Sequence, residues 1–275
     1  MQITDFYSCF KKICQEGYSY LGRSLQVDEA FKANPWHFKS AYPPSYGAKA
    51  RARFLKTLQI AQAFKAKRIL EIASGSGFNA ACLLESDNEI VTNDLLPLGQ
   101  EHHNYKDGDK LQFVQGNILD LSPAQLGKFD LIMACEIIEH IAHCDQFIEK
   151  IKSFLNPEGR ILITTPNGSY FRSRLPTHSQ IKDFSLLEAN QFKPDSDGHL
   201  FLYTPTEMEE VLARAGFRDV KIHLSIGPFI SGNMGLRFLP QWKVLMPIYY
   251  FLDFLMTKST GNACTQMIVV ASFKN

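Results

Sequence analysis

The stretch RILEIASGSGFNAACLL, residues 68–84, decides how this 275-residue chain folds. Ile69, Leu70 and Ile72 surround one acid, Glu71, and read as a buried strand. Five very small residues follow, Ala73-Ser74-Gly75-Ser76-Gly77, and then a segment that reads as helix. A strand running into so bare a turn and a helix start lets backbone N–H groups approach a ligand closely. In an open parallel sheet that ligand lies beyond the carboxyl ends of the strands, where strand order reverses.

Outward from this stretch, strands and helices alternate. Strands are expected near 68–73, 89–93, 111–115, 129–134 and 160–165, and helices near 78–85, 97–103, 144–155 and 206–215. Upstream, AKARARFLKTLQIAQAFKAK (48–67) places Phe54, Leu58 and Ala61 at helical spacing, after a structure-breaking AYPPSYG at 41–47. TPTEMEEVLARAGF (204–217) carries helix signals at both ends: a threonine cap, acids in the first turns, and Gly216 past the end. RDVKIHLSI (218–226) and TQMIVVASF (265–273) read as two closing strands.

This pattern predicts an α/β fold: a Rossmann-like, doubly wound sheet, mostly parallel with an antiparallel edge strand and helices on both faces. Residues 1–47 are expected to be a cap segment. Residues 48–275 are expected to be the main domain, with inserts at 167–203 and 226–260. A connection as long as 167–203 is usually functional.

The composition is that of an ordinary globular protein, 45% hydrophobic and 21% charged. Lys plus Arg number 29 against 28 acids, a net charge of +1, so a nucleic-acid partner is not expected. Six cysteines without a CxxC pair imply neither a zinc finger nor a disulfide framework, and fit a reducing cytoplasm. The N-terminus has no signal-peptide pattern. VLMPIYYFLDFLM (244–256) is too short to span a bilayer, and Pro247 and Asp253 interrupt it. It reads as a packed helix or as an interfacial segment giving peripheral membrane contact.

A second strand, EIVTND, ends in Asp94, 19 residues beyond Gly75, where a carboxylate suits a pair of ribose hydroxyls. A dinucleotide site would show G-x-G-x-x-G, but here Ala73, Gly75 and Gly77 are spaced by two and position 80 is alanine. Glu71 would repel a pyrophosphate and welcome a cation, directly or through water. S-adenosylmethionine carries two, a sulfonium and an ammonium.

At this point the chain resembles the class I S-adenosylmethionine-dependent methyltransferases, over roughly 67–166 and more loosely 200–273. EIASGSG is similar to the family's first motif, with Ala73 where glycine is commoner, and VTNDLLP to the second-strand motif. VQGNILDL, FDLIMACEIIEHI and FLNPEGRILITTPN follow in the family's order. The resemblance implies a cofactor-binding set of Glu71, Ala73, Ser74, Gly75, Gly77, Asp94, Leu95, Asn117, Ile118 and Glu136. It also places Asp120 by the adenine amine. Asn117 stands where the family more often has Asp, and is read equally as a contact or a turn residue.

Methyl transfer needs a nucleophile aligned with the methyl group and, for oxygen, a way to lose a proton. In CEIIEHIAH, Glu136, Glu139 and His140 are spaced i, i+3, i+4 and would share one face of a helical turn, with Ile137 and Ile138 toward the core. His199 follows in DGHLFLYTP. Glu136, Glu139, His140 and His199 could hold magnesium or manganese. Alternatively His140 or His199 is a metal-free base or orienter, or the group is structural. The E-x-x-E-H pattern is similar to ubiquinone-type O-methyltransferases and to small-RNA 2′-O-methyltransferases. That resemblance implies O-methylation, and an aromatic surplus in the cap segments favours a small or lipid-like organic acceptor over a polyanion. The rival readings are an RNA methyltransferase, a non-catalytic cofactor-binding protein, and an NAD-dependent oxidoreductase.

Overall fold

A computed structural model describes residues 44–75, 77–84, 87–97, 110–191, 198–231, 252–253, 255–257 and 261–273. The chain divides into two compact units, Met1–Lys56 with Ser225–Cys264, and Thr57–Leu224 with Thr265–Asn275. The second unit carries the sheet. Its strands are β1 (Arg68–Ile72), β2 (Glu89–Asp94), β3 (Leu111–Gln115), β4 (Phe129–Cys135), β5 (Leu155–Pro166), β6 (Arg218–Ser225) and β7 (Gln266–Ser272). They lie in the order β3-β2-β1-β4-β5-β7-β6. Neighbours from β3 through β5 run parallel, and β7 pairs antiparallel with β5 toward the far edge. Strand order reverses between β1 and β4, so a crevice opens beyond the ends of these two strands.

Among the described residues, the α-helices with defined bounds are α1 (Pro44–Ala63), α2 (Phe78–Leu83), α3 (Pro123–Leu126), α4 (Cys144–Ser153), α5 (Pro205–Arg214) and α6 (Pro228–Ser231). Central strands buried on both faces are near-continuously apolar, as in Leu131, Ile132 and Met133 of β4 and Ile161, Leu162 and Ile163 of β5, all fully buried. α4 lays Phe147, Ile148 and Ile151 on the same core, and α5 adds Met208, Val211 and Leu212. Each such side chain contributes about 1.5–3 kcal/mol of burial free energy.

The signals at the ends of α5 act as read. Thr204 Oγ1 accepts from Glu207 N (3.2 Å), Glu207 Oε2 accepts from Thr204 N (2.7 Å), and Gly216 has φ +86°. Two boundaries differ from expectation. α1 begins inside AYPPSYG, because proline at a helix start loses no hydrogen bond and already has a helical φ. β5 begins at Leu155, five residues early, where Leu155 pairs with Phe129 ahead of a register shift. Residues 98–103 of the expected helix, residues 1–43 of the expected cap segment and most of segment 244–256 lie outside the described residues. No helix among the described residues is long and apolar enough to cross a membrane.

In the first unit, Ala52, Ile226 and Ile230 form a small apolar cluster. The buried carboxyl of Asp253 accepts from Gly227 N (2.8 Å) and Ile230 N (3.2 Å), fastening the start of α6, and burial raises its pKa.

Candidate active site

The turn after β1 is wound through left-handed residues: Ala73 at φ +54°, Gly75 at +49° and Gly77 at +68°. A Cβ on Gly75 would meet nothing within 4 Å, so conformation rather than space asks for glycine there. Asp94 at the end of β2 holds this turn. Its Oδ2 accepts from Gly75 N (2.9 Å) and its Oδ1 from Leu96 N (3.1 Å), which fixes the carboxylate at the crevice. Beside it, the buried Asn93 donates to Val114 O and Gly116 O (both 2.9 Å), tying β2 to the end of β3.

These strand ends enclose a crevice of about 250 Å³, lined by Ala73, Asn93, Asp94, Leu95, Gly116, Asn117, Ile118, Glu136, Ile137 and His140 among others. Of the ten expected cofactor residues, six stand on this wall: Ala73, Asp94, Leu95, Asn117, Ile118 and Glu136. Asn117 combines both of its readings, since its Oδ1 also accepts from Leu119 N (3.1 Å) in a local turn. Ser74, Gly75 and Gly77 shape the turn behind the wall.

Two acids are placed differently from expectation. Glu71 is buried behind the turn, where Oε1 accepts from Asn79 Nδ2 (2.8 Å) and Oε2 from Ala80 N (3.0 Å). Its carboxylate therefore fastens the start of α2 from behind the crevice wall. Burial raises its pKa to about 7. Asp120 is exposed and off the crevice wall, because the turn closed by its own N–H on Asn117 O (2.9 Å) carries it outward.

The end of β4 departs furthest from the helical face drawn from spacing. Glu136 is itself left-handed (φ +54°), and only Ile138–His140 form a single 3-10 turn. Glu136 is thus turned away from Glu139. Its Oε1 accepts from Thr164 Oγ1 (2.7 Å) and from Gln266 Nε2. Ile138 is buried as expected, whereas Ile137 lines the crevice.

Glu139 is fully buried, and its Oε2 accepts from Thr165 Oγ1 (2.9 Å). His199 Nε2 lies 3.9 Å from Glu139 Oε1, and the His140 and His199 rings meet edge to face at 5.0 Å. The loop bearing His199 is pinned by Leu200 N donating to Glu139 O (2.9 Å) and by His140 Nδ1, 3.2 Å from Gly198 O. One ligand atom from each of Glu139, His140 and His199 lies within 4.8 Å of the others. Three of the four expected metal ligands come together; Glu136 does not join them.

His143 faces Glu188 at the surface (2.6 Å). His178 stacks on Tyr203 (5.1 Å) with its Nε2 3.4 Å from Cys144 Sγ, and burial lowers its pKa. Sequence reasoning missed Asn93, Thr165 and Gln266. The only signal for each is a polar residue within an apolar strand.

A bare left-handed turn, a fixed acid at the second strand end, and apolar Leu95 and Ile118 fit an adenosyl group, and the Glu136 carboxylate fits a cation. A family profile described as "Methyltransferase domain" matches residues 45–222. The chain belongs to this family and is a class I S-adenosylmethionine-dependent methyltransferase. It is similar to the ubiquinone biosynthesis O-methyltransferase of Azorhizobium caulinodans, with 26% identity over 196 residues, 68% of this chain and 71% of that protein. The enzyme of the same name from Rickettsia prowazekii is 30% identical over 103 residues, 36% of this chain and 40% of that one. Among solved structures, human N-acetylserotonin methyltransferase in complex with SAM shares the fold, with TM-score 0.51 and 14% identity, covering 84% of this chain and 56% of that one. Burkholderia thailandensis 1,6-didemethyltoxoflavin-N1-methyltransferase, with S-adenosylhomocysteine bound, gives TM-score 0.50 at 17% identity, covering 94% and 90%.

Proposed function

We propose that the chain transfers the methyl group of S-adenosylmethionine to a hydroxyl oxygen of a small, hydrophobic or aromatic acceptor. One observation carries this reading: His140 stands on the wall of the crevice that also holds Asp94, with His199 and the buried Glu139 beside it. The name shared by the two bacterial relatives, ubiquinone biosynthesis O-methyltransferase, supports oxygen as the acceptor atom.

In this reading Asp94 holds the ribose, while Leu95, Asn117 and Ile118 receive the adenine. The acceptor oxygen bonds to the methyl carbon as the carbon–sulfur bond breaks, and the electron pair leaves on sulfur. With Nδ1–H of His140 donating to Gly198 O, Nε2 carries the lone pair that takes the hydroxyl proton. Glu139 stabilises the charge that then develops on the imidazole pair.

The mutual approach of the three donor groups favours a second reading, in which Glu139, His140 and His199 hold a divalent ion. The hydrogen bond from His140 Nδ1 to a backbone carbonyl is one that metal-bound imidazoles commonly make. Such an ion, when bound, lowers the pKa of the acceptor hydroxyl. With Glu136 outside the group, one carboxylate and two imidazoles suit manganese or zinc better than magnesium, which prefers oxygen.

The test is an assay of the purified protein with S-adenosylmethionine and a panel of catechols, phenols and RNA oligonucleotides, read by mass spectrometry. Methylated phenols or catechols support the proposal. Methylation of RNA alone, or at nitrogen or carbon, would overturn it. Loss of activity with a chelator and recovery with manganese would select the metal reading.

A further inference from the structure

β5 runs apolar through Ile161, Leu162 and Ile163, all fully buried, and then carries two buried threonines, Thr164 and Thr165, before Pro166 ends it. A buried hydroxyl costs free energy unless it is hydrogen-bonded, so two in succession at a strand end call for partners. Successive side chains leave a strand on opposite faces, and the two hydroxyls reach different acids. Thr164 Oγ1 donates to Glu136 Oε1 (2.7 Å) and Thr165 Oγ1 to Glu139 Oε2 (2.9 Å). The two acids that the left-handed Glu136 drives apart are thus each met by one residue of a single dipeptide.

Thr165 is 0% exposed and stands opposite Met267 of β7 in the ladder. Its β-branched side chain has few rotamers open to it, so the sheet sets the direction of its hydroxyl. Glu139 lies outside the sheet, in the 3-10 turn Ile138–His140. With Oε2 drawn to Thr165, the planar carboxyl sends Oε1 the other way, and His199 Nε2 lies 3.9 Å from it. The main chain of Glu139 is held separately, since its carbonyl accepts from Leu200 N (2.9 Å). The carbonyl brings the loop bearing His199 close, and the carboxyl is turned toward that histidine from the opposite side.

We infer that Thr165 is a positioning residue for Glu139: its hydroxyl turns the carboxyl so that the second oxygen faces the His140 and His199 pair. The inference rests on the reading of Glu139, His140 and His199 as the proposed catalytic group. It holds whether that group takes a proton or holds an ion, because both need Oε1 toward His199. Thr165 is not on the crevice wall, so it acts through Glu139 and not by touching the cofactor.

The experiment is a double-mutant cycle on the full chain, with S-adenosylmethionine and a phenol or catechol that the wild type methylates, with and without manganese. Thr165→Val keeps the shape and removes the hydroxyl. It should lower kcat by about tenfold, and leave the KM for S-adenosylmethionine and the calorimetric affinity for S-adenosylhomocysteine within about twofold. Thr165→Ser, which keeps the hydroxyl, should stay within about threefold of the wild type. In a Glu139→Gln chain, which has no carboxyl to turn, adding Thr165→Val should change kcat by less than about twofold. Should Thr165→Val not fold, Thr165→Ala against Thr165→Ser repeats the comparison of one hydroxyl. Losses that multiply in the double variant would overturn the inference, because a hydroxyl that only stabilises the strand does so with or without Glu139. Wild-type kcat in Thr165→Val, or a Thr165→Ser chain as slow as Thr165→Val, would overturn it too. These results leave the proposed function standing, whereas a wild type that methylates no phenol or catechol would remove both.

Discussion

The two sides of the crevice are built by different means. On the cofactor side, the turn after β1 meets the end of β2 through a backbone bond, Ser74 N to Asn93 O (3.1 Å), and a bond from Gly75 N to the Asp94 carboxylate. Neighbouring parallel strands hold them in register. On the proposed acceptor side, Glu139 and His140 follow β4, whereas His199 arrives on a loop some sixty residues later, pinned by Leu200 N and Gly198 O. The cofactor side thus rests on one acid, Asp94, set by the backbone beside it. The proposed catalytic group needs three side chains from two distant segments, so its chemistry can change while the cofactor side stays intact.

Several substitutions would sharpen that contrast or break it. The largest effect is expected from Glu139→Gln, which keeps the shape and replaces the carboxyl beside His199 by an amide. It should lower kcat by about 10³-fold while leaving S-adenosylmethionine affinity within about twofold. A parallel loss of affinity, read by calorimetry, would mean that the two sides are not separate. Next, Asp94→Ala should weaken S-adenosylmethionine by about 100-fold, close to 3 kcal/mol, and NAD should bind neither protein. Unchanged affinity in Asp94→Ala would remove the ribose assignment.

Glu71 offers a third test, through stability. Its pKa is about 7 in the folded chain against 4.5 for an ordinary Glu, because burial disfavours the charge. The folded state therefore binds this proton more tightly than the unfolded one. Its contribution is complete below 4.5 and is lost as pH rises through about 7. Denaturation of the wild type should show a fall of about 2 kcal/mol from this group between about pH 5 and pH 8. That component should vanish in Glu71→Gln. The smallest effect concerns Ala73, left-handed at φ +54°. Ala73→Gly should stabilise by about 0.5–1 kcal/mol, and raise Tm by about 2 °C, as relief of strain outweighs the added backbone entropy.

How much was legible follows the same division. The strands of the sheet, Asp94 and the bare turn were readable because each is written in consecutive residues with a period or a spacing. Glu71 was visible as an acid in the right place, but its partners Asn79 and Ala80 could not be chosen over a ligand from spacing alone. Glu136 was misplaced for a geometric reason. The i, i+3, i+4 rule assumes helical dihedrals, and one residue at positive φ turns its side chain away from the other two. Gln266 was signalled only as a polar residue in an apolar strand, and its partner, 130 residues off, could not be named.

By itself, then, the sequence determined a parallel sheet with an adenosyl-binding edge, because hydrophobic period and turn chemistry are local properties of a chain. Which acid faces the crevice, which braces it, and which joins the two histidines was decided only by tertiary structure. Those choices depend on which strands lie side by side and on the dihedral of a single residue, and neither is written in any one segment.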